Sequence, residues 1–325
     1  MLADLKFVVA AVAKKDYMPE LTHFRIKDGR VTGYNGMIAL SSPIPIDFDA
    51  QPKAAPLLAA VAACKDVVAL NMTAAGRLSI KSGAFKAFVE CLPNERVFEV
   101  APEGETVELG PNFLAGIKGI APIMGVDASR PWAMGIKLQA QSMYATNNVT
   151  LIEYWHGSEI PFDVVIPSQA INELLRIGEA PTRVQVDKKS LSFWFTGDRW
   201  LRTQLLDGGA WPTDRLAGLM AKSTGRNFTA LTPEFAEALQ TLKPFMDEHS
   251  SIYLTPTTMQ TSKDDGTGAS VELPLISITE MQCYNQRNLT LLAEVADRID
   301  WTLYPQACPF YKDERQRGVI IGRRV

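Results

Sequence analysis

The hydrophobic positions of this chain switch between a helical and a strand period in an order that repeats. In the opening segment "LADLKFVVAAVAKK", Leu5, Val8 and Val12 recur with the spacing of one helix face. Alternating residues follow in "HFRIKDGRVTGYNGMIALSSPIP", where Asp28-Gly29 is a hairpin turn signal. A second helical segment, "AAPLLAAVAACK", leads into the strand pair that ends "LSIKSGAFKAFVECLP". The predicted order is helix, strands, helix, strands.

The same order occurs twice more, with a period of roughly 110 residues. The second copy begins at "GPNFLAGIKGIAPIM", and its second helix is predicted to start with Ser168 as N-cap and stop at Gly178. It closes with "LSFWFTGDRWLRTQLLDGGAWP", a relative of the first copy's last hairpin. The third copy begins at "LTPEFAEALQTLKPF", with Thr232 as cap and Pro233 at the first helical position.

These repeats predict an α+β protein of three tandem domains, each with two helices packed on antiparallel sheet. A repeat of this size is too long for a solenoid unit and long enough for a layered domain of its own. We place the domains at residues 1–104, 105–214 and 215–325 of the 325-residue chain.

Composition favours a well-packed cytoplasmic protein with no membrane partner, since no apolar run reaches about 18 residues and hydrophobic residues make up 46%. The formal net charge is −3, so any contact with a polyanion needs a local basic surface. Four cysteines without CxxC spacing argue against a zinc site or a disulfide scaffold, and favour reduced thiols.

Motifs for catalysis are missing from the sequence. His23, His156 and His249 stand alone, without the spacing of metal ligands, and are expected at the surface or at strand edges. There is no GxSxG segment, and the glycine-rich stretches suit turns better than phosphate loops. We therefore predict no catalytic residue, metal or cofactor.

Basic residues are more informative, because they recur near the first helix of each copy. Equivalent helices could line one surface and meet DNA phosphates without reading bases, although ordinary solvated helix faces explain the same pattern. Trp132 could stack on a base or sugar, or belong to the core. The candidate DNA-binding residues are Lys6, Lys14, Lys15, Lys118, Arg130, Trp132 and Lys243.

Four segments, in this order along the chain, resemble the motifs of a known family: "MYATNNVTLIEYW", "DVVIPSQAINELLRI", "TQLLDGGAWPTDRL" and "GVIIGRRV". With the three-copy layout, they resemble the bacterial sliding clamp, the beta subunit of DNA polymerase III. That family carries an Ala-Thr-Asp-Gly-x-Arg-Leu stretch, a Val-Ile-Val-Pro segment opening a helix, a Leu-Ile-Asp-Gly-x-Phe-Pro-Asp-Tyr hairpin end and a Met-Pro-Met-Arg-Leu finish. The resemblance spans essentially the full chain.

Departures from the family pattern are substantial. Asn147-Asn148 replaces Asp-Gly, Val149-Thr150 replaces His-Arg, and Gly322-Arg323 stands in place of the Met-Pro finish. A divergent, phage-encoded member of the family would fit these losses.

The resemblance implies a non-enzymatic processivity factor, in which two subunits close head to tail into a six-domain ring around duplex DNA. Its partners would be a DNA polymerase, a clamp loader and a second copy of itself. The implied subunit interface involves Phe88, Phe245 and Met246, for which intradomain core is the alternative.

The resemblance also implies a pocket for short apolar peptide motifs of partner proteins. For Leu151 and Ile320, structural core is the alternative. Two other functions remain open: a clamp-like DNA-binding protein that does not close, and a replication enzyme with an unrecognised site. The implied pocket residues are Thr146, Leu151, Leu219, Val319, Ile320 and Ile321.

Overall fold

A computed structural model describes residues 1–46, 48–93, 98–205, 211–264, 266–275 and 277–324. The quoted hairpin end at 206–210 lies outside the described residues. So does Asp265, which with Gly266 is a hairpin turn signal in the third copy of the sequence. The α-helices of the described part are α1 (Leu2–Val8), α2 (Ala54–Ala63), α3 (Phe113–Ile120), α4 (Ser168–Ile177), α5 (Thr213–Lys222), α6 (Pro233–Leu242) and α7 (Gln286–Val295).

The strands begin with β1 (Arg25–Lys27), β2 (Arg30–Tyr34), β3 (Ile38–Pro43), β4 (Gln51–Pro52), β5 (Ala69–Met72), β6 (Arg77–Ser82), β7 (Phe85–Leu92), β8 (Glu105–Glu108), β9 (Gly135–Thr146) and β10 (Thr150–Pro167). They continue with β11 (Arg183–Val186), β12 (Ser190–Phe195), β13 (Arg199–Gln204), β14 (Thr229–Ala230), β15 (Ser251–Leu254), β16 (Thr258–Gln260), β17 (Ser270–Glu272), β18 (Gln282–Asn285), β19 (Arg298–Ile299), β20 (Cys308–Lys312) and β21 (Gln316–Ile320).

The chain divides into two compact units, of which unit 1 comprises Met1–Leu114 and Asn172–Leu205. Unit 1 contains a seven-stranded antiparallel sheet in the order β1-β2-β3-β13-β12-β11-β8 and a four-stranded sheet in the order β4-β7-β6-β5. Strand β3 pairs with β13, so strands of the first two predicted domains share one sheet. The predicted domain boundaries therefore remain predictions.

The hairpin turns of unit 1 form at residues whose types favour such turns. Asp28 and Gly29 both adopt positive φ between β1 and β2, as a two-residue hairpin requires, so the predicted turn is confirmed. Gly197 and Asp198 do the same between β12 and β13. Helix α1 packs closely on β2 at Gly33, where a Cβ would lie 2.9 Å from the Val8 carbonyl oxygen.

Unit 2 comprises Ala115–Ile171 and Leu206–Val325. It contains a six-stranded antiparallel sheet in the order β14-β19-β20-β21-β10-β9 and a four-stranded sheet in the order β17-β16-β15-β18. Pro233 opens α6 as predicted, and α6 packs Phe235 against the fully buried Trp301 with 6.0 Å between ring centroids. Helix α7 buries Leu289 and Leu292.

Helix α4 begins at Ser168 and ends before Gly178, whose φ of 70° and hydrogen bond to the Leu174 carbonyl make the predicted stop. Ser168, predicted as the N-cap, is instead the first helical residue, so the helix begins one position earlier than predicted. In the described part of the chain, no helix combines the length and apolar composition needed to cross a membrane. The expected cytoplasmic location stays a prediction.

One histidine departs from its expected surface position. His156 lies on β10 with 1% of its surface exposed. Its Nδ1 accepts a hydrogen bond from the Ser158 backbone N–H at 3.1 Å, so the neutral ring carries its proton on Nε2. Burial lowers the pKa of His156 from 6.5 to about 4.

We therefore expect His156 to make folding pH-dependent. The unfolded chain binds a proton at His156 near pH 6.5, whereas the folded chain binds it only near pH 4. Stability should fall as the pH falls through this window, by about 2 kcal/mol between pH 7 and pH 5. Urea unfolding at both pH values should show this loss in the wild type and in His249→Gln, whose histidine is exposed. An equal loss in His156→Phe would contradict the assignment.

Candidate functional site

Unit 2 contains a surface cavity of about 580 Å³ between helix α5 and the end of the six-stranded sheet, which we call the α5 cavity. Its volume is in the range of preformed ligand sites. Its lining is mainly apolar, with a charged border. The apolar members are Trp132, Val149, Leu151, Pro212, Leu216, Leu219, Val319 and Ile321; the polar and charged members are Arg130, Thr146, Asn148, Thr150, Asp214, Arg215 and Lys222, with Gly218.

The floor of the α5 cavity is formed by β10 and β21. Leu151 pairs with Val319 in register, and both side chains are nearly fully buried. Ile321 follows at the end of β21 and remains 39% exposed. Because side chains alternate along a strand, Val319 and Ile321 face the cavity.

Ile320, which lies between them, is fully buried and does not line the α5 cavity. The implied role of Ile320 as a pocket residue is therefore corrected: it is a core residue. The alternative of structural core, left open in the sequence, applies to this position.

Helix α5 forms the wall of the cavity and contributes Leu216 and Leu219 to it. Every side chain of α5 is at least partly exposed, so the helix lies on the surface of its unit. The sequence pattern of this segment indicates the tail of a hairpin, and the helix differs from that expectation. Leu216, Leu219 and Met220 have the i, i+3, i+4 spacing that would have indicated it.

Two aromatic rings pack beside the floor. Trp132 and Trp211 meet edge to face, with 5.5 Å between ring centroids and 84° between planes. They belong to a cluster that includes Leu151 and Val319. Arg130 and Trp132, predicted as DNA contacts, thus lie in the lining of the α5 cavity. Their contact with DNA remains a prediction.

A tight turn joins β9 to β10 at the cavity's border. The Thr146 hydroxyl donates to the Thr150 carbonyl at 2.8 Å, and the Asn147 side-chain oxygen accepts from the Val149 and Thr150 N–H groups at 3.1 and 2.8 Å. Asn148 takes a φ of 72°, which asparagine tolerates. Asn147-Asn148 therefore forms a tight turn at the position where the family pattern has Asp-Gly, and the hydroxyl of Thr146 helps to hold it.

A smaller cavity of about 270 Å³ adjoins the first, and Leu151 and Leu216 line both. It is bordered by Glu153, which accepts hydrogen bonds from Tyr144 at 3.0 Å and from Arg317 at 2.6 Å. Burial and the charge of Glu153 raise the pKa of Tyr144 to about 12. Tyr144 therefore remains a protonated donor, and this polar cluster fixes the sheet next to the apolar floor.

The remaining predicted residues lie on the surfaces of their own units. Phe88 on β7 is 52% exposed and carries the Lys86 ammonium 4.7 Å from its ring centroid. Phe245, just after α6, is 60% exposed, and Met246 is half-buried. The lysine side chains predicted to contact DNA are all exposed: Lys6 on α1, Lys14 and Lys15 beyond it, Lys118 on α3 and Lys243 directly after α6.

No known protein family matches the sequence, and no curated protein does. Solved structures, in contrast, match over its whole length. The Caulobacter crescentus beta sliding clamp has a TM-score of 0.82 at 17% identity, covering 100% of this chain and 97% of that one. The beta subunit of DNA polymerase from Streptococcus pyogenes matches with 0.82 and 16%, and the sliding clamp of Bartonella birtlesii, solved bound to griselimycin, with 0.82 and 15%; both have the same coverage.

The chain therefore has the α+β fold of bacterial sliding clamps. The predicted resemblance to these clamps, in a divergent sequence, is confirmed for the fold.

Proposed function

We propose that this protein is a non-enzymatic DNA sliding clamp that captures partner proteins through the α5 cavity. The observation that carries the proposal is this preformed, apolar cavity in a chain whose fold matches sliding clamps from end to end. Buried aliphatic floor residues and a neighbouring aromatic pair are the type of surface that anchors a short peptide. A DNA polymerase and a clamp loader are the partners that we propose.

A ring of two chains would hold DNA by enclosure. Contacts with phosphates can then be few and weak, which agrees with a net charge of −3 and a limited set of exposed lysines. Lys14 and Lys15 are the best candidates, since both are exposed in the loop after α1 beside the fully exposed Tyr17. Sequence-independent binding follows, because such contacts read no bases.

Self-association is supported by the edge of the sheet that contains β7. In the described part of the chain, β4 pairs with only Cys91 and Leu92 of β7, which leaves the segment around Phe88 without a strand on that side. An open edge with an exposed aromatic residue is suited to pairing with another chain. We propose Phe88 as one side of the ring interface, with Phe245 and Met246 of a second copy as the other.

The ring makes a direct prediction about DNA retention. Light scattering should give twice the 35.8 kDa chain mass. The protein is first diluted to monomers and then concentrated in the presence of a nicked plasmid. It should remain bound to the plasmid during a wash in about 0.5 M salt, because salt weakens phosphate contacts but does not open a closed ring. Cutting the plasmid should release the protein from its ends.

Phe88→Asp should abolish retention on the circle, whereas Val67→Asp, at an exposed valine of the same unit, should not. Equal, salt-dependent loss from circular and linear plasmid would contradict enclosure and favour a clamp-like protein that does not close. Nucleotide or DNA turnover by the purified protein would contradict the non-enzymatic assignment.

A further inference from the structure

Helix α5 presents a regular stripe to the cavity, in which an apolar residue stands between two cations. Arg215, Leu219 and Lys222 have the spacing i, i+4, i+7, which places them on one helix face, and all three line the α5 cavity. The stripe extends about 10 Å along the helix axis, at a rise of 1.5 Å per residue. A ligand that contacts Leu219 would therefore have a cation on each side of its contact.

The charge around the cavity is opposite in sign to that of the whole chain. Arg130 adds a third cation, and Asp214 is the one acid among the described lining residues. Arg130, Arg215 and Lys222 are all exposed, and among the described residues none of them forms an ion pair. An apolar cavity with unpaired cations at its border is complementary to an apolar ligand that carries anions.

We propose that the α5 cavity selects peptides with carboxylates on both sides of their apolar anchor. This inference rests on the proposed function as a peptide-binding clamp. An extended peptide advances about 3.3 Å per residue, so acidic residues three to five positions apart match the stripe of α5. The aliphatic floor of Leu151 and Val319 favours a peptide over a nucleic acid, which has no aliphatic side chains to place there.

Three fluorescein-labelled peptides test this selectivity by anisotropy: Gly-Asp-Leu-Leu-Phe-Asp-Gly and its counterparts with asparagine or lysine at both aspartate positions. At about 50 mM salt, we expect the acidic peptide to bind roughly 5- to 20-fold more tightly than the asparagine peptide, and the lysine peptide to bind most weakly. The advantage should fall below about threefold at 0.5 M salt, because exposed charges are screened there.

Arg215→Gln combined with Lys222→Gln should reduce the advantage of the acidic peptide to less than about threefold. Arg287→Gln, at an exposed cation of α7 outside the cavity lining, is the matched control and should preserve it. Replacing both α5 cations by glutamate should instead favour the lysine peptide. Circular dichroism of each variant checks that the fold is retained.

Equal binding of the acidic and asparagine peptides at 50 mM salt would overturn the inference while leaving the peptide-binding function intact. Failure of all three peptides to bind would overturn the peptide-binding function, and this inference with it. A 12-base-pair DNA duplex that displaces the acidic peptide only when Arg215 and Lys222 are present would assign these cations to DNA and would also overturn the inference.

Discussion

Replacing Leu219 by aspartate is expected to weaken binding of the Gly-Asn-Leu-Leu-Phe-Asn-Gly peptide at least about 100-fold, or about 3 kcal/mol. Leu219 lines the cavity between Arg215 and Lys222 on α5, so a carboxylate there would be desolvated against the ligand's apolar anchor. Its side chain is only partly buried in the free protein, and the helix tolerates a polar residue at such a position. The loss should therefore appear in affinity with little change in unfolding.

The control for this variant is Leu291→Asp on α7, a half-buried helical leucine of the same unit that does not line the cavity. It should lower the free energy of unfolding by a similar amount and leave the peptide affinity unchanged. If both variants bind the peptide as tightly as the wild type, the α5 cavity is not the peptide site. If both weaken it equally, the effect comes from a general loss of structure.

The parts of the fold that local chemistry determines could be predicted from the sequence. Asp28-Gly29 forms the first hairpin turn because few residue pairs accept two consecutive positive φ values. Pro233 opens α6 because its missing N–H is not needed at the first helical position. Gly178 ends α4 because glycine has no Cβ and therefore accepts the positive φ of 70° that follows the last helical residue. Each of these turn and helix-end signals depends on one or two residues, so the sequence alone shows them.

Helix α5 shows why other elements are easily missed, although its apolar spacing carries a helical signal. Its apolar residues Leu216, Leu219 and Met220 are partly exposed, so the helix lacks the strong hydrophobic face that identifies a core helix. It also follows directly on a glycine- and proline-containing segment that is typical of a hairpin end. Its place at the cavity depends on tertiary packing, which the local pattern does not encode.

The candidate site was predictable in its apolar members but not in its geometry. Leu151, Val319 and Ile321 could be assigned from the resemblance, whereas excluding Ile320 requires knowing which face of β21 is covered. The sequence predicts Arg130 and Trp132 as DNA contacts, but a cation beside an aromatic ring suits a peptide ligand equally well. In the structure both residues line the α5 cavity, where Trp132 packs on Trp211.

A large loss of stability is expected from Gly318→Ala, on the strand that supports the cavity floor. A Cβ at Gly318 would overlap the Leu151 carbonyl oxygen and the Phe310 ring. The carbonyl is backbone in the neighbouring strand β10 and cannot rotate away, so the sheet itself must move. We expect the free energy of unfolding, measured by urea denaturation, to fall by about 3 kcal/mol.

Gly218→Ala on α5 is the matched control, because a Cβ there meets no described atom within 4 Å. Alanine is the better helix former, so this variant should gain up to about 1 kcal/mol. A loss below about 1 kcal/mol for Gly318→Ala would contradict this prediction. It would show that β10, β20 and β21 leave room for a Cβ at residue 318. Since Leu151 and Val319 adjoin Gly318 in the sheet, the same variant should also weaken peptide binding, through displacement of the floor and without removing any lining side chain.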